Sequence, residues 1–232
     1  MAITTSTIEG THVITIERPP MNALDLDTII ALERTFAAAR DAAHGGIVLT
    51  GSGRAFSAGV DTRAFANYGR DERHAMVHAI TRMVARLLEI SSPVVAAING
   101  HALGGGFVLM LACDYRIAVD NDEAKLGMTE AKAGIPFPAG PLEIIRHELS
   151  PQLLRRLTLT SAVFSTRVLF DLGILDALCA GENIKSKALE MATSLAAQPG
   201  FRAVKQQIRG RLAKRVADMA TSGDDAFLGE FG

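Results

Sequence analysis

At 232 residues, with 48% apolar and 21% charged side chains, the chain is long enough to bury a substantial core. A formal net charge of -1 and a pI near 6.6 supply no global field for drawing in nucleic acid or an acidic membrane, so neither is expected as a partner. Cys113 and Cys179 are isolated in sequence, MAITTSTIEG is no basic-apolar leader, and no run reaches the roughly 18 apolar residues of a membrane span, which together predict a cytoplasmic protein without disulfides.

In chain order, the alternation in HVITIE (12–17) predicts a strand, stopped by Pro19-Pro20. Apolar positions at helical spacing predict a helix over 26–43, with Asp25 or Asp27 as N-cap, and Gly45-Gly46 leads into the strand IVLT. Met76, Ile80, Met83 and Leu87 form one stripe of an amphipathic helix over 76–88. Pro93 then opens VVAAI, a second apolar strand, and YRIAV reads as a third. The strand-helix-strand succession predicts an α/β fold. The segment 120–141 carries turn residues and prolines and reads as a long functional loop. Beyond it Ser150-Pro151 and Ser165 mark two helix starts, and 184–198 and 201–219 read as further helices whose apolar stripes call for a partner surface.

Two glycine-bearing segments each follow a strand: GSGRAFSAGVD after IVLT, and NGHALGGGF after VVAAI. Neither is a phosphate loop. Phe56 occupies the third glycine position of a dinucleotide fingerprint, and no Gly-Lys-Ser or Gly-Lys-Thr closes a P-loop. Each alone reads as a tight turn, but two strand-to-helix turns from adjacent units can converge their N–H groups on one oxygen and stabilise charge developing there.

In this order and separation, GRAFSAGVD and INGHALGGG resemble the two signature segments of the crotonase (enoyl-CoA hydratase/isomerase) superfamily. The resemblance runs from RPPMNALD to STRVLFDLGILDAL. It implies a core of repeated ββα units over 1–165, a helical oligomerisation region over 166–232, a homotrimer or hexamer, and a coenzyme A thioester as substrate, with no metal or separate cofactor. It places the oxyanion hole at the N–H groups of Val60 and Gly105, and the expected contacts of the coenzyme A portion are Ala58, Gly59, Asp61, Thr62, Gly105 and Thr129, with Lys205 added from the basic cluster KQQIRGRLAKR, which otherwise reads as the solvated face of a helix. Hydratases of this family carry a glutamate at the second position after the glycine triplet; here it is Val108. Their other glutamate falls on Glu130 in GMTEAKAGIPF.

Hydration needs a base for water and an acid for the α-carbon, a task suited to two carboxylates. Moving a double bond from the 3,4 to the 2,3 position needs one group that takes a proton from C2 and returns it to C4. Val108, with Phe107, Ile135 and Phe137 nearby, would also keep water out. CDYRIAVDN and LGMTEAKAGIPFP are more similar to the mitochondrial-type 3,2-trans-enoyl-CoA isomerases, which typically have asparagine where this chain has Thr129. The expectation is therefore an acyl-CoA isomerase with Glu130 as acid and base. The alternatives are an enoyl-CoA hydratase or other crotonase-type lyase or hydrolase, and a non-catalytic scaffold. Asp61 also reads as an organiser of its own loop, Asp114, His101 and His147 read as structural or surface groups, and Glu143 and Arg209 stand behind Glu130 and Lys205 as candidates for the acyl pocket and the coenzyme A phosphates.

Overall fold

A computed structural model describes residues 2–41 and 45–231. Antiparallel β1 (Ile3–Ile8) and β2 (Thr11–Ile16) open the chain, and α1 (Leu26–Asp41) follows. Of the two N-cap candidates Asp25 performs the task, accepting the Thr28 N–H at 2.9 Å; the expected end of this helix, 42–43, lies outside the described residues.

The chain then winds with a regular habit. β3 (Gly46–Gly51) is followed by β4 (Ala55–Ser57), then by α2 (Thr62–Asn67) and α3 (Arg70–Leu88). β5 (Val94–Ile98) is followed by β6 (His101–Leu103), then by α4 (Gly105–Ala112). β7 (Tyr115–Val119) is followed by β8 (Leu126–Gly127), then by α5 (Glu130–Ala133), α6 (Ala139–Glu148) and α7 (Pro151–Thr158). In each turn the first strand joins a large sheet and the second a small one. Among the described residues the large sheet has the order β1-β2-β3-β5-β7-β10, and the small one β4-β6-β8-β9, where β9 is Val163–Phe164 and β10 is Ala177–Cys179. Apart from β1/β2 and β8/β9, the pairings are parallel.

The parallel strands are covered on both faces, which is why VVAAI is an unbroken apolar run rather than an alternating one. Ile47, Leu49, Val94, Ala96 and Ile98 point into a core shared with α1, α3 and α4. Val13, Val48, Val95, Ala97 and Ile117 face the other way, onto Ala188 and Ala192 of α9 (Ile184–Ala196). Before it lies α8 (Thr166–Asp171), and after it α10 (Phe201–Ser222), which packs on α3 and α6.

Three expectations are corrected here. The segment 120–141 contains β8 and α5 and leads into α6, so it is less irregular than its prolines suggested. The region after 165 is not purely helical: β10 pairs in parallel with β7 and completes the large sheet, so a boundary at 165 cuts through the core. Ser150 caps α7 by accepting the Leu153 N–H at 3.3 Å, but Ser165, although it starts α8, makes no side-chain cap bond. Among the described residues no helix is long and apolar enough to cross a membrane.

Candidate active site

The two glycine-bearing turns lie against each other. The first, 58–61, connects β4 to α2 and is tied down from the N-terminal segment: Leu24 N–H donates to the Gly59 carbonyl at 2.8 Å, and Asp61 N–H donates to the Leu24 carbonyl at 2.9 Å. Asn22, fully buried, donates from Nδ2 to the Ala55 carbonyl at 2.7 Å, and Ser57 Oγ donates to the Asn22 carbonyl at 2.7 Å. The second turn passes through Gly104 into α4. At Gly59 φ is +76°, and a Cβ there would stand 2.5 Å from the Leu103 carbonyl oxygen and 2.7 Å from the Gly105 nitrogen, so only glycine permits this approach. The N–H groups of Val60 and Gly105, one from each turn, have no hydrogen-bond partner among the described residues. Gly105 is the first residue of α4, where an N–H has no intrahelical acceptor.

Val60 and Gly105 line one cavity together with Glu130. Glu130 begins α5, and its carboxylate occupies the space that Gly104 leaves open: a Cβ on Gly104 would be 3.0 Å from Oε1. Oε2 is buried with no hydrogen-bond partner. Burial raises the Glu130 carboxyl above the ordinary carboxylate range, opposed in part by its own N–H and that of Thr129. Much of the remaining wall is apolar, including Leu24, Met76, Ile80, Val84, Val108, Ile135 and Phe137. Val108, on α4, is 2% exposed, and among the described residues lining the cavity Glu130 is the only acid. A partly desolvated carboxylate beside two unused N–H donors can move a proton next to a stabilised oxyanion. Among the described residues no three His, Cys, Asp or Glu side chains are grouped to hold a metal ion.

The family described as Enoyl-CoA hydratase/isomerase matches residues 6–228. The chain belongs to the enoyl-CoA hydratase/isomerase family. It is 32% identical over 214 residues to a crotonyl-CoA hydratase of Syntrophomonas wolfei, covering 90% of this chain and 78% of that one. It is 30% identical over 184 residues to a carnitinyl-CoA dehydratase of Salmonella arizonae, covering 78% and 69%. In structure it is similar to human mitochondrial delta3-delta2-enoyl-CoA isomerase, with a TM-score of 0.89 over 100% of this chain and 90% of that one; at 24% identity this is a likeness of fold.

Within this enoyl-CoA hydratase/isomerase fold, Ala58, Val60, Thr62, Gly105, Thr129 and Glu130 all line the cavity, as do Val108, Ile135 and Phe137. Gly59 stands directly behind, against Gly105. Other candidates are placed elsewhere. Asp61 caps α2, accepting the N–H groups of Arg63 and Ala64, each at 3.1 Å, and pairs with Arg18 at 2.8 Å. The Ala64 N–H and the Arg18 guanidinium hold its carboxyl below the usual range, so it is an organiser of its loop rather than a cavity group. Lys205 is corrected as a phosphate contact: it is buried on α10, with Nζ 2.6 Å from Asp114 Oδ2 and 3.0 Å from the Ser92 carbonyl. Burial pulls its ammonium below the ordinary lysine range against the pull of Asp114. Arg209 caps α4 carbonyls, at 2.6 Å from that of Ala112, and pairs with Glu148, which also binds Arg116. Phe107 is in the core, Glu143 pairs with Arg215 at 2.9 Å, His101 Nδ1 accepts the Lys125 N–H at 3.0 Å, and His147 is exposed. Missed from the sequence were Phe231 as a lining residue and Asn22 as the buried brace of the first turn.

The Glu130 carboxyl has a stability consequence. A carboxyl whose folded-state pKa is raised binds more protons folded than unfolded, so stability falls as pH rises from the unfolded value of 4.5 through the folded one. Glu130→Gln is therefore expected to melt at a higher temperature than the wild type near pH 7, with the difference vanishing below pH 4.5. Thermal melts at both pH values check this; equal melting temperatures at pH 7 would refute it.

Proposed function

We propose that the protein is an acyl-CoA isomerase that converts a 3-enoyl-CoA to the 2-enoyl-CoA. The thioester oxygen accepts hydrogen bonds from the N–H groups of Val60 and Gly105, which acidifies C2. The Glu130 carboxylate takes a proton from C2, the electron pair delocalises toward the thioester oxygen as a dienolate, and the Glu130 carboxylic acid delivers the proton to C4. The C3–C4 double bond becomes C2–C3, and the carboxylate is regenerated. Thr62 and Thr129 flank the coenzyme A side. The observation that carries this reading is one carboxylate, with a buried, unpartnered oxygen, in a cavity where Val108 stands and, among the described residues, no second acid does.

A hydratase is the second reading, favoured by the names of sequence relatives such as the crotonyl-CoA hydratase of Syntrophomonas wolfei. The two separate on paired assays. Isomerisation of 3-hexenoyl-CoA is expected to outrun hydration of crotonyl-CoA by about 100-fold, the order of effect of one missing general acid or base. Faster hydration than isomerisation would replace the first reading with the second, and inertness toward both would leave a binding role. Exposed Leu159, Val168, Phe170, Val204 and Ile208 offer apolar surface for the homotrimer or hexamer that we also infer, in a cytoplasmic setting.

A further inference from the structure

We propose that Phe231 is the end stop of the acyl cavity and sets the length of linear acyl chain that it accepts; this deepens the reading of the cavity as an acyl site and rests on it. After α10 the chain reverses at Gly223 and is clamped by Asp225. Asp225 Oδ2 accepts the N–H of Ala139, the first residue of α6, at 2.8 Å, and Oδ1 accepts the Phe227 N–H at 3.0 Å. A single 3-10 turn, Leu228–Phe231, then lies against α3. It delivers Phe231, 4% exposed, into the cavity wall.

The cavity lining divides by chemistry. Thr62, Thr129 and Glu130 come from the starts of α2 and α5, the short helices that follow β4 and β8. The part built by Met76, Ile80 and Val84 of α3, Pro141 of α6, Phe137 and Phe231 is wholly apolar. None of these side chains can hydrogen-bond or react, so their complement is an alkyl chain. The cavity measures about 110 Å³, and since one water needs roughly 10–15 Å³ of such space, it has room for about seven to eleven waters, so the length of chain it takes is finite and set by its walls. Phe231 is the wall member that does not belong to the ββα core, and it is held there by Asp225, which lies outside the cavity.

The test is calorimetric binding of saturated butanoyl-, hexanoyl-, octanoyl- and decanoyl-CoA to the full chain. Affinity should rise about fourfold per added methylene, equivalent to about 0.8 kcal/mol, until the chain meets Phe231, and then level off. Phe231→Ala should carry the rise at least two methylenes further, so the decanoyl-to-butanoyl affinity ratio grows about tenfold or more. Phe231→Trp should level off earlier than the wild type. Asp225→Ala, which frees the clamp without touching the cavity, should shift the levelling point the same way as Phe231→Ala. An unchanged levelling point in all three variants overturns the proposal. Saturated esters cannot isomerise, so an intact length profile without turnover of any 3-enoyl-CoA overturns the isomerase reading alone, and turnover with an unaltered profile overturns the end stop alone. Failure to bind any ester overturns both.

Discussion

Glu130→Gln is expected to lower kcat for 3-enoyl-CoA isomerisation by about 10²–10⁴-fold, the usual worth of a positioned general acid-base group. Dissociation constants of saturated CoA esters should move less than about threefold, because the amide keeps the shape of the side chain and the N–H groups of Val60 and Gly105 are untouched. Both proton transfers are assigned to one carboxylate, and no other acid among the described residues lines the cavity to replace it. The wild-type kcat/KM should also fall on the acid side, with its midpoint above the ordinary 4.5, because burial raises the group that must be ionised to start the reaction. Steady-state kinetics across pH, with calorimetric titration of a saturated ester, check both statements. Retention of more than about a tenth of wild-type kcat would remove Glu130 from the proton path.

Gly59→Ala is the second large effect, and it acts through geometry rather than chemistry. The residue sits at φ +76°, and the added Cβ would fall 2.5 Å from the Leu103 carbonyl oxygen and 2.7 Å from the Gly105 nitrogen. Both obstacles are main chain, so the two turns must separate. The consequence is displacement of the paired donors, with an expected loss of about 10²-fold or more in kcat/KM and of roughly 2–4 kcal/mol in stability. Gly53→Ala is the matched control. It has φ +65° but nothing within 4 Å of an added Cβ, so it should lose only about 1–2 kcal/mol from backbone strain and keep its activity. Urea unfolding alongside kinetics separates the two variants; equal activity in both would mean that the approach of the turns is unimportant for turnover.

Elements long enough to show a period were legible in the sequence. The strand β2 appears as an alternation, β3, β5 and β7 as apolar runs, and α3 as a stripe through Met76, Ile80, Met83 and Leu87. The small sheet was not, because β4 and β6 have three residues each and β8 and β9 two, too few for alternation to be seen. For β10 the reason is the same: three residues inside a helical stretch. The cavity residues from the two glycine segments and the 129–137 loop were legible by resemblance. Lys205 was not: its partner Asp114 is 91 positions away, and a buried lysine and a solvated one look alike on a helix. Phe231 offered a weaker signal, an aromatic residue beyond a helix ending at Gly223, whose destination depends on the tertiary clamp at Asp225.

The winding between two sheets has a consequence for how such a protein can change its chemistry. Val60 and Gly105 are held by ladders, since β4 and β6 pair with each other and the Leu24 bridge stitches the first turn down. Glu130 instead rides on α5, four residues long, with Ala131, Lys132 and Ala133 exposed. The carbonyl-gripping frame is thus stiff and shared with the architecture, while the proton carrier is a detachable fitting at its rim. Mutation can relocate, double or delete that fitting without reshaping the grip, which is how one scaffold can keep its hold on a thioester while the bond being rearranged varies.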